Sequence, residues 1–132
     1  MSEAESKKKI VMLVDDDQFL LNMYSLKFKN SGFDVETVNS APVALQKLRD
    51  GFVPDIVLCD LVMPAMDGLE FLKHVRDEHL APASAIVVLT NQGQSAEIER
   101  AKEIGVDGYI VKASTIPSEV VEEVKNILAK RK

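Results

Sequence analysis

The chain has little cysteine and no long apolar segment. Its single cysteine, Cys59, cannot form a disulfide within the chain, and this sparse usage is typical of a reducing compartment. No apolar stretch reaches the length of about 18 residues that a membrane-spanning helix needs. The N-terminus is polar and charged, whereas a secretory signal would carry an apolar core. We therefore expect a soluble, cytoplasmic protein that makes no contact with a membrane.

The chain also has fewer basic residues than acidic ones. Sixteen Lys and Arg residues stand against 21 Asp and Glu residues, which gives a formal net charge of −5. A nucleic-acid-binding domain needs a clustered basic face, so we expect no direct binding of nucleic acid. A length of 132 residues suits one domain with one core, and no repeat or linker divides the sequence.

Short apolar runs alternate with helical patterns along the chain. Apolar runs at residues 10–14, 55–59, 85–89 and 108–111 predict strands that are buried on both faces, and residues 34–38 predict a shorter strand. Apolar residues recur at helical spacing within 18–29, 40–48, 68–75, 95–104 and 120–128. This alternation predicts βαβ units and a parallel sheet in an α/β protein.

Polar residues stand where these predicted strands end. Asp15 and Asp16 follow the first strand, Asp60 follows the third, Thr90 follows the fourth, and Lys112 lies just beyond the fifth. Because ligands bind beyond the carboxyl ends of parallel strands, three carboxylates, a hydroxyl and an ammonium are expected to converge. Carboxylates this close repel one another unless a cation lies between them, and oxygen ligands favour a hard divalent ion. The pattern predicts a Mg²⁺ site beside a nucleophilic aspartate.

This ordered set of residues resembles the receiver domain of two-component response regulators, in particular the chemotaxis type with a single domain. The resemblance extends from about Lys8 to about Lys130, and it includes Met63-Pro64 and Gly68. It implies a flavodoxin-like (βα)5 fold with three layers, in which a doubly wound parallel sheet has the strand order 2-1-3-4-5. We expect residues 8–130 to form the receiver domain and residues 1–7 to form a disordered tail.

The resemblance implies a signalling switch rather than an enzyme. Asp60 would take a phosphoryl group, and Thr90 and Lys112 would serve the phosphoryl oxygens. Phosphorylation would draw the Thr90 hydroxyl inward and let the Tyr109 ring turn into the space that opens, which is a shift between existing conformers. The only reactions would be self-catalysed phosphorylation and dephosphorylation.

The same resemblance implies the ligands and the partners. Asp16 would bind Mg²⁺ directly, Asp15 through water or more weakly, and Asp60 and the main-chain carbonyl of Val62 would complete the protein ligands. The phosphoryl donor would be a histidine kinase or a histidine phosphotransfer protein. A downstream protein would bind the face made by the fourth helix, the fifth strand and the fifth helix. The chain would be a monomer or a phosphorylation-dependent dimer.

One alternative is a phosphatase. The triplet Asp15-Asp16-Asp17 contains an Asp-x-Asp that resembles the haloacid dehalogenase class, in which Asp15 would be the nucleophile and Asp17 the acid and base. That class needs a further acidic motif after the lysine to hold its metal. Here the first acid after Lys112 is Glu119, which lies inside a predicted helix. Asp17 is better interpreted as an acid that favours the start of a helix.

Another alternative is a binding module that keeps the fold without the phosphoryl chemistry. The complete set of site residues argues against it. However, Asn91 stands where a small alanine is usual in the receiver family, and Ala113 stands where many receivers have proline. Val62 and Gln92 are the variable positions that flank the site, and we expect them to set how fast the acyl phosphate hydrolyses. An apolar Val62 cannot orient an attacking water by hydrogen bonding. Slow loss of the phosphoryl group is the expected result.

Overall fold

The computed structural model describes residues 8–61, 63, 66–90, 95–112 and 115–130. Five strands and five helices alternate within these residues: β1 (Ile10–Val14), α1 (Gln18–Asn30), β2 (Asp34–Val38), α2 (Ala41–Arg49), β3 (Ile56–Asp60), α3 (Gly68–Asp77), β4 (Ala85–Thr90), α4 (Ser95–Ile104), β5 (Gly108–Val111) and α5 (Pro117–Lys130). None of these described helices is both long enough and apolar enough to cross a membrane. The tail predicted at residues 1–7 lies outside the described residues, as do Val62, Asn91, Gln92 and Ala113.

All the strand pairs of the sheet are parallel, and the strand order is β2-β1-β3-β4-β5. The flavodoxin-like α/β fold expected from the sequence is therefore confirmed. The register places Val14 beside Cys59 and Asp60 beside Leu89. Because of this register, the carboxyl ends of β1, β3 and β4 meet along one side of the sheet, which we call the carboxyl edge. The opposite side, where the strands begin, is the amino edge.

Each face of the sheet carries its own apolar core. Alternate strand residues such as Met12 and Val57 pack with α2, α3 and α4 on one face. Their neighbours Leu13 and Leu58 pack with α1 and α5 on the other face. Burial on both faces explains why these strands appear in the sequence as continuous apolar runs.

The fifth strand differs from its prediction. It was expected to be buried on both faces, but β5 pairs only with β4 and lies at the edge of the sheet. Within it, Ile110 is buried, Val111 is partly buried, and Tyr109 is 44% exposed. An apolar run indicates a strand but does not reveal whether a helix covers both of its faces, so this exposure was missed.

Polar caps set the starts of the helices that border the carboxyl edge. The Asp17 carboxylate accepts a hydrogen bond from the backbone N–H of Leu20, 3.2 Å away, and so caps α1. Asp67 caps α3 in the same way by accepting from Glu70 at 2.9 Å. Each cap satisfies a backbone donor that has no partner within its helix. Two helix N-termini are thereby fixed next to the strand ends that carry the polar residues.

Candidate functional site

Three carboxylates meet at the carboxyl edge. Asp15, Asp16 and Asp60 each offer an oxygen that lies within 4.8 Å of the other two. Asp15 and Asp60 are 3% and 5% exposed, whereas Asp16 is open to solvent. Repulsion between like charges is strong where burial lowers the local dielectric. A set of carboxylate oxygens open on one side suits a hard divalent cation, so this donor set is compatible with the predicted metal site.

Lys112 reaches into this group from the chain just after β5. Its Nζ lies 2.7 Å from Asp15 Oδ2 and 3.5 Å from Asp60 Oδ2, and its side chain is only 7% exposed. Burial lowers the pKa of Lys112, but the hydrogen bond to Asp15 and the charge of Asp60 outweigh burial, so the pKa is raised. One charged ammonium therefore pairs with two of the three carboxylates, and negative charge remains in excess.

The two neighbouring aspartates at the end of β1 differ in their surroundings. Asp15 accepts a hydrogen bond from the backbone N–H of Asp17 at 2.9 Å through one oxygen, and from Lys112 through the other. Asp16 projects into solvent beside them. This difference favours the expectation that Asp16 is the direct metal ligand and Asp15 the weaker one, which stays a prediction.

Thr90 and Tyr109 lie on one face of the sheet. The register pairs Val88 with Tyr109 and Thr90 with Val111. Paired residues of parallel strands project to the same side, and Val88 belongs to the core beneath α4. Thr90 is 7% exposed at the carboxyl edge, and Tyr109 lies nearer the amino edge and is largely exposed. The two residues predicted to form the switch therefore share the face that α4 covers.

Gly68 has a structural role that the sequence did not reveal. A Cβ at this position would overlap the carbonyl oxygen of Asp60 and would lie 2.8 Å from Leu61 Cα. The backbone N–H of Gly68 donates to Leu61 O at 2.8 Å. The start of α3 therefore packs directly against the main chain that carries Asp60. The only signal in the sequence was the spacing of a glycine that belongs to the family motif.

Cys59 immediately precedes Asp60 and is fully buried. Its thiol donates to the carbonyl oxygen of Asp60 at 3.1 Å. Burial, together with the neighbouring charge of Asp60, raises the pKa of Cys59 well above its ordinary value. The thiol therefore stays protonated, and its burial in β3 gives Cys59 a packing role in the core.

Comparison with known proteins agrees with the fold and identifies the family. The family model described as the response regulator receiver domain matches residues 11–125. A chemotaxis response regulator of Vibrio cholerae, CheY4, is 27% identical with a TM-score of 0.83, and the alignment covers 92% of this chain and 99% of that one. A CheY-like receiver domain protein of Methanospirillum hungatei is 25% identical with a TM-score of 0.86, and the alignment covers 95% of this chain and 97% of that one.

Longer regulators also match. The transcriptional regulatory protein CpxR homolog of Haemophilus influenzae is 35% identical over 118 residues, which make up 89% of this chain and 49% of that protein. The chain thus spans about half the length of the curated relatives that it matches.

Proposed function

We propose that this chain, which belongs to the response regulator receiver domain family, is a phosphoacceptor that takes a phosphoryl group onto Asp60 in a two-component phosphorelay. The observation that carries the proposal is the convergence of Asp15, Asp16, Asp60 and Lys112 at the carboxyl edge. We assign the receiver domain to residues 8–130, with residues 1–7 as a tail, and we place the protein in the cytoplasm.

Mg²⁺ is the proposed cofactor. Asp15, Asp16 and Asp60 would hold it, together with the carbonyl of Val62, which lies outside the described residues. A bound ion would offset the excess carboxylate charge and help to stabilise the negative charge of the phosphoryl oxygens. The carboxylate cluster supports this assignment because few carboxylates, water and a phosphate oxygen form the usual Mg²⁺ site.

The proposed transfer replaces one bond to phosphorus with another. An Asp60 carboxylate oxygen attacks the phosphorus of a donor phosphohistidine, the O–P bond forms, and the N–P bond breaks with its electron pair left on the imidazole. Lys112 lies 3.5 Å from Asp60 and is held there by Asp15, so its ammonium is placed to pair with a phosphoryl oxygen. The buried Thr90 hydroxyl at the same edge would accompany a second oxygen.

Two surfaces support a role in binding partners. Phe19, in the first turn of α1, and Ile116, just before α5, are 75% and 60% exposed and flank the carboxyl edge. Exposed large apolar residues beside a buried acceptor are suited to contact a donor, which we propose is a histidine kinase or a histidine phosphotransfer protein. The exposed Tyr109 lies on the other proposed surface, the α4, β5 and α5 face, where a downstream protein would bind.

Phosphorylation is tested with acetyl phosphate and intact mass. We expect wild type to gain one phosphoryl group in the presence of Mg²⁺ and none in EDTA. Asp60→Asn is expected to abolish the gain, while Asp34→Asn, which removes an exposed carboxylate at the amino edge, is expected to keep it. If the wild-type protein binds Mg²⁺ but gains no phosphoryl group, the result would favour the alternative of a binding module. A label on Asp15 would support the phosphatase alternative.

The lifetime of the acyl phosphate is a further prediction. Val62 offers no hydrogen bond to an attacking water, so dephosphorylation is expected to be slow. Val62→Asn is expected to shorten the lifetime, measured as the decay of the phosphorylated mass after the donor is removed. Val62→Leu, which stays apolar, is the control. An unchanged lifetime in Val62→Asn would contradict the prediction.

A further inference from the structure

The exposed ring of Tyr109 has a cationic neighbour. Lys102, in the last turn of α4, places its Nζ 5.7 Å from the centre of the Tyr109 ring. This is within the distance of about 6 Å at which a cation is attracted to the face of an aromatic ring. The contact joins α4 to β5 across the sheet face that also carries Thr90.

The end of α4 that carries Lys102 is fixed to the rest of the domain. The Arg76 guanidinium donates to Gly105 O at 2.7 Å, and Gly105 donates its backbone N–H to Lys102 O at 3.0 Å. Asp107 exchanges two bonds with Ile86, since its N–H donates to Ile86 O and its carboxylate accepts from Ile86 N, each at 2.7 Å. These hydrogen bonds fix the backbone on both sides of the turn before β5. The Cα of Lys102 therefore has a defined position relative to Tyr109.

The position of Lys102 opposes the motion expected of Tyr109. α4 runs antiparallel to the strands, so its last turn lies toward the amino edge, whereas Thr90 ends β4 at the carboxyl edge. A ring that turns toward the space beside Thr90 must move away from the Lys102 ammonium. Glu99, whose carboxylate lies 3.5 Å from Lys102 Nζ, competes with the ring for the same cation.

We infer that Lys102 is a positioning residue for the switch, because it holds Tyr109 in the exposed position and thereby favours the unphosphorylated conformer. This inference rests on the proposed function. An exposed cation–π contact corresponds to about a two- to fivefold bias between two conformers. Removing the cation while keeping the aliphatic stem is therefore expected to raise the population of the inward conformer by about that factor.

The test compares two exposed lysines, one on α4 and one on α5. Lys102→Met is the test variant, and Lys125→Met is the matched control, because Lys125 has the same spacing to its glutamate, Glu122, at 3.8 Å. Lys102→Arg keeps a cation that can lie over the ring. The first readout is the initial rate of Asp60 labelling by acetyl phosphate with Mg²⁺. We expect a two- to fivefold faster rate in Lys102→Met only. A general loss of positive charge would instead slow the approach of the anionic donor.

A second readout observes the ring directly. The chain has two tyrosines and no tryptophan, so a Tyr24→Phe background leaves Tyr109 as the one fluorescent tyrosine. Without a phosphodonor, Lys102→Met is expected to lower acrylamide quenching of Tyr109, while Lys102→Arg and Lys125→Met keep the wild-type value. Quenching that is equal in all variants overturns the inference even if wild type is never labelled.

A double-mutant cycle separates the contact from the general effect of charge. In a Tyr109→Ala background, Lys102→Met is expected to leave the labelling rate unchanged, because the contact is already lost. Faster labelling that persists in this background overturns the inference and shows that Lys102 acts on the site in another way. Absence of labelling in wild type contradicts the proposed function, whereas the quenching measurement still decides the role of Lys102.

Discussion

The two edges of the sheet each carry an ion pair, and the pairs differ in burial and in charge balance. At the carboxyl edge, Lys112 and Asp15 lie 2.7 Å apart with side chains only 7% and 5% exposed. At the amino edge, the Arg49 Nε donates to Glu78 at 2.8 Å at the ends of α2 and α3, with side chains 40% and 33% exposed. The single positive charge of Lys112 stands within a cluster of three carboxylates and contacts two of them, whereas the charges of Arg49 and Glu78 balance each other.

The two pairs differ in what they join: the exposed pair links the ends of two helices, and the buried pair links the chain after β5 to the end of β1 beside Asp60. The amino-edge pair lies in high-dielectric surroundings, where exposed pairs contribute little to stability. The carboxyl-edge pair is buried, so losing one partner leaves the other charge uncompensated. The excess negative charge of the three carboxylates around it also lowers stability. The carboxyl edge thus lacks the electrostatic balance of the amino edge, and this imbalance is what the proposed phosphoryl site requires.

The largest effect is expected from removing the acid of the buried pair. Asp15→Ala leaves the Lys112 ammonium with only the more distant Asp60, so we expect a loss of about 3 kcal/mol in the free energy of unfolding. Arg49→Ala at the opposite edge is the control and is expected to cost much less. Urea unfolding measures both, and equal losses would show that burial does not distinguish the two edges.

The backbone at the carboxyl edge is tested by Gly68→Ala. The added Cβ overlaps the Asp60 carbonyl, so α3 must shift, and we expect a loss of about 2–3 kcal/mol together with slower labelling by acetyl phosphate. Gly32→Ala is the control, because Gly32 has φ +95° but open space around it, and only backbone strain of about 1 kcal/mol is expected. A Gly68→Ala variant with normal labelling would contradict close packing against Asp60.

Removing the exposed member of the acidic cluster is expected to have the opposite sign. Asp16→Ala relieves repulsion with Asp15 and Asp60, so we expect the melting temperature in EDTA to rise by about 2–4 °C, as a gain of up to about 1 kcal/mol would give. Mg²⁺ is expected to raise the melting temperature of wild type but not of this variant. A lower melting temperature in EDTA would mean that Asp16 makes stabilising hydrogen bonds.

The smallest effect is expected at the amino edge, as a dependence on pH. The hydrogen bond from Arg49 lowers the pKa of Glu78 from 4.5 to about 2. A lowered folded-state pKa stabilises the protein above pH 4.5 and loses that contribution as the pH falls toward 2. The difference in urea midpoint between wild type and Glu78→Gln is therefore expected to shrink between pH 5 and pH 2.5. A constant difference would show that the charge of Glu78 contributes nothing.

The sequence was sufficient to predict the strands and the meeting of the acidic residues. Both predictions depend on local rules, since β1, β3 and β4 are buried on both faces and their carboxyl ends share one edge. The carboxylate that pairs most closely with Lys112 was not predictable from the sequence. Lys112 was expected to serve phosphoryl oxygens, but in this structure it is closest to Asp15, which is 97 residues earlier in the chain.

Contacts between helix ends were also beyond the reach of sequence patterns. The bonds from Arg76 to Gly105 and from Arg49 to Glu78 each join residues 29 positions apart. Exposed charged residues are common on helices, so nothing marks these in advance. Their positions depend on how neighbouring helices pack, which is decided by the whole core rather than by one segment.

The buried thiol of Cys59 can serve as a native probe of local opening of the core around β3. Its thiol is fully covered and is the only thiol in the sequence, and it packs in the core between the sheet and the helices α2, α3 and α4. An alkylating reagent can therefore reach it only when this core opens locally. The rate of alkylation under native conditions then measures the free energy of that opening. Because Cys59 directly precedes Asp60 in β3, this rate would report how firmly the core covers the strand that carries Asp60, without any added probe.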